Sequence, residues 1–394
     1  MSNGKISVVV GGQFGSEAKG AVAGFLASAE NNLCHRVVAV RVAGPNAGHT
    51  IYGRCPDPCD VSPEEHLNTP DAFNRQQRHP WKLRQVPVAA VTDEAATLVI
   101  AAGSEIDPAV LADEVHRLIS AGYDPIRRLY VDHSATVLEP YHIAAEIDQQ
   151  LNRRIGSTAK GIGEARVARL RREARTFGQF LDQEPDHPLS RVTTIDTARY
   201  LNERVRSDHV IIEGTQGYAL GLHTDNYPQV TSSDCRAVDF LAMAGVNPWL
   251  VSPERLNIWV VLRTFPIRVA GNSGPMNGET SWEDLGLPPE RTTVTNKVRR
   301  VGTWDPDLAA EAVRVNGGGP DGSGCVRVAL TMADYLVQGV SGLTQYTLHE
   351  LDSDDLGRMV QLLDQVEKDT GVRPSLVGTS PTTIIDLRER VALL

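Results

Sequence analysis

Short apolar runs recur along the chain, each closed by glycine or a polar cluster, and they alternate with longer stretches in which apolar positions return every three or four residues. The first pattern predicts buried parallel strands and the second amphipathic helices. Strands are expected at 6–10, 36–42, 98–101, 129–131, 210–213, 257–262 and 325–330, and helices at 21–27, 108–120, 140–151, 194–205 and 355–369. This alternation predicts an α/β fold, a mostly parallel central sheet flanked by helices, with no internal repeat and one large domain over 1–394. Two segments break the rhythm. Residues 53–80 hold five prolines and two cysteines and read as a surface excursion, and 270–290, rich in Gly and Pro, reads as a mobile loop.

Composition narrows the function classes. Hydrophobic residues at 41% and charged residues at 22% describe a globular protein and exclude disordered, collagen-like and coiled-coil readings. The formal net charge of -10 repels polyanions, so neither nucleic acid nor an anionic membrane is an expected partner. No run approaches the roughly 20 apolar residues of a membrane helix. The first five residues lead straight into a strand pattern, and a cytoplasmic location is expected. Five cysteines form an odd set that suits reduced thiols. Cys55 and Cys59, with His49 and His66 nearby, show CxxxC spacing and no second cysteine pair, and read as ordinary loop thiols in preference to a zinc site.

The chemistry concentrates in two loops. Gly12, Gly15, Lys19 and Gly20 lie between the first strand and a helix start, where backbone N–H groups and a lysine can surround phosphate oxygens. The spacing is not that of a standard P-loop, so a tight turn packing helix on sheet is the competing reading. The second loop, Asn46 to Thr50, brings an amide, an imidazole and a hydroxyl to the carboxyl edge of the sheet, where ligands of such sheets bind. Alone, His49 reads more readily as a structural hydrogen-bonder than as a functional group.

Together, GQFGSEAKG and NAGHT resemble the adenylosuccinate synthetase family, whose loops usually read GDEGKGK and NAGHT. The resemblance continues through STAKGIG from Ser157 and the VAR run up to Arg169, EGTQG around Gln216, YPQVTSS with Thr231, TNKVRR from Thr295 to Arg300, LTMAD ending at Asp334, and GTSP from Gly378. Residues 53–80 stand outside it. The resemblance implies a P-loop-NTPase-like fold with inserted loops. It also implies a two-step, Mg²⁺-dependent ligase that phosphorylates the 6-oxygen of a purine nucleotide and then displaces that phosphate with the amine of L-aspartate.

On this resemblance, Ser16, Lys19, His49 and Gln216 serve catalysis. Ser16, Asn46, Thr158, Gln216, Thr231 and Lys297 hold the purine nucleotide, joined by Arg169 from a neighbouring subunit of a homodimer. Gly12, Gln13, Gly15, Glu17, Ala18, Lys19, Gly20, Gly48, His49, Thr50, Arg299, Asp334 and Gly378 hold the triphosphate. Thr293, Thr295, Arg299 and Arg300 hold aspartate, and Ser16 and Gly48 the metal.

Four departures shape the expected substrate. The family's first-loop aspartate is Ser16, the glycine before the lysine is Ala18, a loop arginine is Lys297, and the guanine-reading TKLD is Thr331 to Asp334 with Met332 and Ala333 inside it. Serine at this position resembles the phage branch of the family, the 2-aminoadenylosuccinate synthetases. The expected reaction therefore joins aspartate to dGMP with ATP or dATP, on the route to diaminopurine deoxynucleotide. The alternatives are an adenylosuccinate synthetase using IMP and GTP, a catalytically silent nucleotide-binding regulator, and a zinc-bearing interaction module.

Overall fold

The computed structural model describes residues 4–28, 36–62, 65–68, 77–291 and 297–388. Its centre is a ten-stranded sheet in the order Thr193–Ile195, Leu129–Asp132, Thr97–Ile100, Val37–Arg41, His209–Gly217, Lys5–Gly11, Leu256–Arg263, Val326–Thr331, Pro374–Gly378 and Ile384–Asp386. All neighbours are parallel except the last pair. Inner strands such as VVAVR and LNIWVVLR are almost wholly buried, because helices cover both faces and leave no face for polar side chains. One core packs Val22, Leu26, Trp81, Leu98, Leu111 and Phe177 on one face, and the other packs Val8, Val40, Phe240, Val260, Ala309 and Val366 on the opposite face.

The helices begin where the sequence supplies caps. Asp107 accepts from the N–H groups of Ala109 and Val110 ahead of helix Pro108–Ser120, and Asp352 does the same for Ser353–Thr370, which ends at Gly371 with φ 71°. Two expected helices differ from the observed ones. The segment expected at 194–205 begins as an edge strand, Thr193–Ile195, and becomes the helix Thr197–Arg204 only after Asp196 caps it. The segment expected at 140–151 breaks at Gln150, whose φ of 52° ends Pro140–Asp148 before Leu151–Ile155 starts.

The excursion is also less irregular than its composition suggests. Gln77–Leu83 forms a strand that pairs antiparallel with His49–Gly53, His49 opposite Leu83 and Gly53 opposite His79. The ribbon separates His49 from Cys55 and Cys59: His49 sits at its other end, while the two sulfurs face His66, one of the two histidines named with them in the sequence, and also His79.

Candidate active site

The carboxyl ends of Lys5–Gly11, Val37–Arg41 and His209–Gly217 adjoin in the sheet, and the loops leaving them build the site. In the first loop Gly15 takes φ 93°, and a Cβ there would stand 3.0 Å from the Cα of Gln216. Ala18 is held in the left-handed region at φ 60° as the N-cap of helix Lys19–Ala27, a conformation that costs a residue with a side chain about 1–2 kcal/mol. Gly20 lets that helix approach the second loop, since a Cβ would come 2.7 Å from the Cβ of His49.

Inside the loop, Glu17 accepts from the N–H of Gly15 at 2.6 Å and of Gln13 at 3.2 Å, and pairs with Lys19 Nζ at 3.0 Å. All three polar partners therefore converge on one buried carboxylate, the arrangement that would also receive a phosphate. The Gln13 amide clamps the backbone of Arg263 at 3.1 and 3.2 Å, and Gly12 N–H bonds to Val261 O at 2.9 Å. Those two residues fasten the loop to the sheet.

Beside the loop lies a cavity of about 600 Å³. Gly15, Ser16, Asn46, Gly48, His49, Thr158, Gln216, Thr231, Lys297 and Arg299 all line it, although Ser16 and Arg299, which touch, are 283 residues apart in sequence. Gly12, Gln13, Glu17, Ala18, Lys19, Gly20 and Thr50 do not line it. Arg169 is exposed on helix Ile162–Arg171, away from its own chain's cavity, and Thr293 and Thr295 lie outside the described residues. Arg300 is turned away from the cavity, its guanidinium forked onto the Glu279 carboxylate and donating to Ser273 Oγ at 3.1 Å. In this state the fork expected to bind an aspartate substrate is engaged within the protein.

Asp334 and Gly378 stand on the other side of the phosphate loop. Thr331 Oγ1 ties that side to the loop by donating to Glu17 O at 3.1 Å, and Gly378 packs against Thr331. Burial pushes the Asp334 carboxyl up to about 6.

Two residues at the heart of the site are not among the expected ones. Arg41 and Glu213 end neighbouring strands in matched register and form a buried ion pair at 3.3 Å. His49 lies against both: Arg41 contacts its Nδ1 and stands 3.1 Å from Nε2, and Glu213 Oε2 is 3.1 Å from Nδ1. Arg41 also donates to Ala47 O at 3.1 Å, which fixes the second loop. Burial, reinforced by Arg41 and Lys19, holds the His49 imidazole well below its usual pKa, so it is neutral near pH 7. Burial likewise pushes Glu213 up to about 7 against the pull of Arg41 and of the Val88 N–H at 2.9 Å. The available signal was a charged residue closing each otherwise apolar run. Arg268 was missed too. It is buried in the cavity wall over the ring of Phe14 at 4.4 Å, and burial and Arg300 lower its pKa to about 10.

A protein-held Mg²⁺ does not fit Ser16 and Gly48. The Ser16 hydroxyl accepts from Arg299 Nη1 at 2.7 Å, so its oxygen already faces a fixed cation. Glu146, a carboxylate in the wall, is taken by the N–H groups of Gly161 at 2.8 Å and Gly163 at 2.9 Å. Mg²⁺ prefers carboxylate or phosphate oxygens, and the Ser16–Gly48 pair offers neither.

The family model for adenylosuccinate synthetase matches residues 71–188 and 187–371, so it takes in the last part of the excursion. The adenylosuccinate synthetase of Methanocaldococcus jannaschii is 31% identical over 98% of this chain and 97% of its own length. That of Methanococcus maripaludis is 32% identical over 97% of this chain and 99% of its own. Among solved structures, the succinoaminodeoxyadenylate synthetase (PurZ) of cyanophage S-2L, bound to dGMP and to dATP as an energy donor, superposes with a TM-score of 0.72 at 26% identity, covering 97% of this chain and 95% of that one. Adenylosuccinate synthetase from Plasmodium falciparum shares the fold, with a TM-score of 0.70 at 18% identity over 98% of this chain and 100% of that one.

Proposed function

Because the chain belongs to the adenylosuccinate synthetase family, and is a carbon–nitrogen ligase of that type, we propose that it joins L-aspartate to carbon 6 of dGMP with ATP or dATP as phosphoryl donor. The observation that carries this reading is Ser16, which faces the cavity and bonds Arg299 where the family pattern has an aspartate. A guanine carries a 2-amino group beside N1, and a small hydroxyl backed by a guanidinium leaves room that a metal-binding carboxylate would fill. The likeness to a cyanophage protein bound to dGMP and dATP supports the same choice.

In the first step of this reading the 6-oxygen attacks the γ-phosphorus, the bond to the β-phosphate oxygen breaks, and the N1 proton leaves. In the second, the aspartate amine attacks carbon 6, phosphate departs with the C–O bond, and the amine loses a proton. His49, neutral and buried at the cavity wall, donates a hydrogen bond to the charge developing on the 6-oxygen. Arg299 supplies a counter-charge to the purine when N1 is deprotonated. Ser16 is no base, so the N1 proton goes to water or to substrate phosphate. Mg²⁺ would come with the triphosphate and would supply charge neutralisation to its phosphates.

Arg169 serves the phosphate of a neighbouring copy in this reading, and mixing Arg169→Ala with His49→Ala subunits restores part of the activity through hybrid dimers. The deciding experiment is mass analysis of products from dGMP, IMP and dIMP, each with ATP, dATP or GTP, with and without aspartate. Aspartate-dependent succinylation of dGMP is expected, and equal kcat/KM for IMP and dGMP overturns the reading. The second reading, an IMP- and GTP-using synthetase, is favoured by the names of the archaeal relatives at 31–32% identity.

A further inference from the structure

At the outer end of the ribbon, four side chains from three separate stretches of chain aim their ligand atoms at one point. Cys55 Sγ lies 3.6 Å from His66 Nε2 and 4.0 Å from His79 Nδ1, and Cys59 Sγ lies 3.4 Å and 3.9 Å from the same two nitrogens. All four atoms fall within 4.8 Å of one another. A tetrahedral zinc with Zn–S of about 2.3 Å and Zn–N of about 2.0–2.1 Å separates sulfur from nitrogen by about 3.6 Å. The four observed edges bracket that value within a few tenths of an ångström. We propose that Cys55, Cys59, His66 and His79 form a structural Zn²⁺ site that fastens the excursion to the ribbon.

The surroundings suit ligation. Nδ1 of His66 is 3.0 Å from Ser62 O and donates to it, which leaves Nε2, the nitrogen facing both sulfurs, with its lone pair. His79 is fully buried in edge contact with Trp81, its ring centroid 5.0 Å away, so its orientation is fixed by packing. Ligation through Nδ1 puts its remaining proton on Nε2, with the Asp60 carboxylate as acceptor 3.6 Å away, itself held by Arg117 Nη2 at 2.8 Å; Arg117, which can only donate and stands 3.3 Å from the same ring nitrogen, then keeps its N–H for Asp60. Four protein ligands leave no open position, which marks a structural metal in place of a catalytic one, and a thiolate–imidazole set in tetrahedral array selects zinc over Mg²⁺ or Ca²⁺.

The need is physical. Residues 53–80 hold five prolines and few apolar side chains, too little to order such a segment by burial alone. Because Gly53 pairs with His79 and His49 with Leu83, a metal at the outer end pins the register of the ribbon whose inner end carries the active-site imidazole.

The test is elemental analysis of the full-length protein, purified under reducing conditions and, in parallel, stripped and resupplied with Zn²⁺ alone. About one zinc per chain is expected in both, and Co²⁺ in its place should give the intense visible bands of tetrahedral thiolate ligation. Cys59→Ser should lower Zn²⁺ affinity by at least tenfold. Asp60→Ala, which leaves all four ligands in place, should lower it by about 10- to 100-fold. Less than a tenth of an equivalent after resupply, an octahedral Co²⁺ spectrum, or Cys55 and Cys59 recovered as a disulfide overturns the site. None of these readouts depends on which purine the enzyme uses.

Discussion

Glu213 and Asp334 are both carboxyl groups pushed upward by burial, to about 7 and about 6, yet their company differs completely. Glu213 is met by Arg41 and His49 at Oε2 and by the N–H of Val88 at Oε1, so both of its oxygens are engaged within the protein. The effect opposing burial at Asp334 is its own backbone N–H. The same electrostatic cause thus has two meanings. At Glu213 the raised carboxyl sits among the partners that orient a neighbouring imidazole, whereas at Asp334 burial is opposed by a backbone N–H alone.

The strongest way to break the Glu213 side of this contrast is to remove what it orients. His49→Ala is expected to fold and to lose about 10²- to 10⁴-fold in kcat, the range for a positioned acid or charge stabiliser. Turnover within a few-fold of the parent would remove His49 from the chemistry.

Arg41→Met tests the ion pair itself. Stranding a buried partner costs about 3–5 kcal/mol at pH 8, where Glu213 must ionise or stay protonated at a cost. The folded-state pKa of Glu213 already lies above its unfolded value, and losing Arg41 raises it further. Its favourable contribution is therefore complete below the unfolded pKa and is lost as pH rises through about 7 and beyond. Denaturant midpoints should show a smaller penalty at pH 5.5 than at pH 8, and equal penalties would mean that Glu213 does not carry the effect.

Ser16→Asp sharpens the contrast by adding a third carboxylate, one that faces the cavity next to Arg299. It is expected to lower kcat/KM for dGMP by about 10²-fold, as for a site whose buried hydrogen-bond pattern no longer matches its substrate, while IMP gains relative to dGMP. An unchanged ratio between the two purines would detach Ser16 from specificity.

The strands and the cavity wall were legible because each signal is local. A buried parallel strand is a continuous apolar run, and Asn46 to His49, Thr158, Gln216 and Thr231 sit in the short motifs that carry the family resemblance. What stayed hidden depends on register between distant segments. Arg41 and Glu213 meet only because their strands are sheet neighbours, 172 residues apart in sequence. His79 joins Cys55 and Cys59 only because Gln77–Leu83 folds back on His49–Gly53, and the CxxxC spacing carries no trace of it. The adjacent arginines illustrate the same limit: Arg299 faces the cavity and Arg300 faces Glu279, a division set by the strand Arg300–Gly302 pairing with Glu279–Thr280.

The smallest expected effect belongs to Asp334, and it decides the donor. Guanine presents two donors, N1–H and the 2-amino group, and suits an ionised carboxylate. Adenine presents one donor and one acceptor, the 6-amino group and N1, and suits a neutral carboxylic acid that accepts with one oxygen and donates with the other. With the group titrating at about 6, the sign of the pH dependence differs between the two bases. For an adenine donor, KM should fall about two- to threefold as pH drops from 7.5 to 5.5, because the protonated acid gains a hydrogen bond of modest net worth. For a guanine donor KM should rise over the same interval. Asp334→Asn provides the control, since its amide offers one acceptor and one donor at every pH. The variant should keep ATP and dATP, lose the pH trend, and lose GTP most. A KM for ATP that rises on acidification, or an Asn variant that favours GTP, would assign the site to guanine and leave the family's usual donor in place.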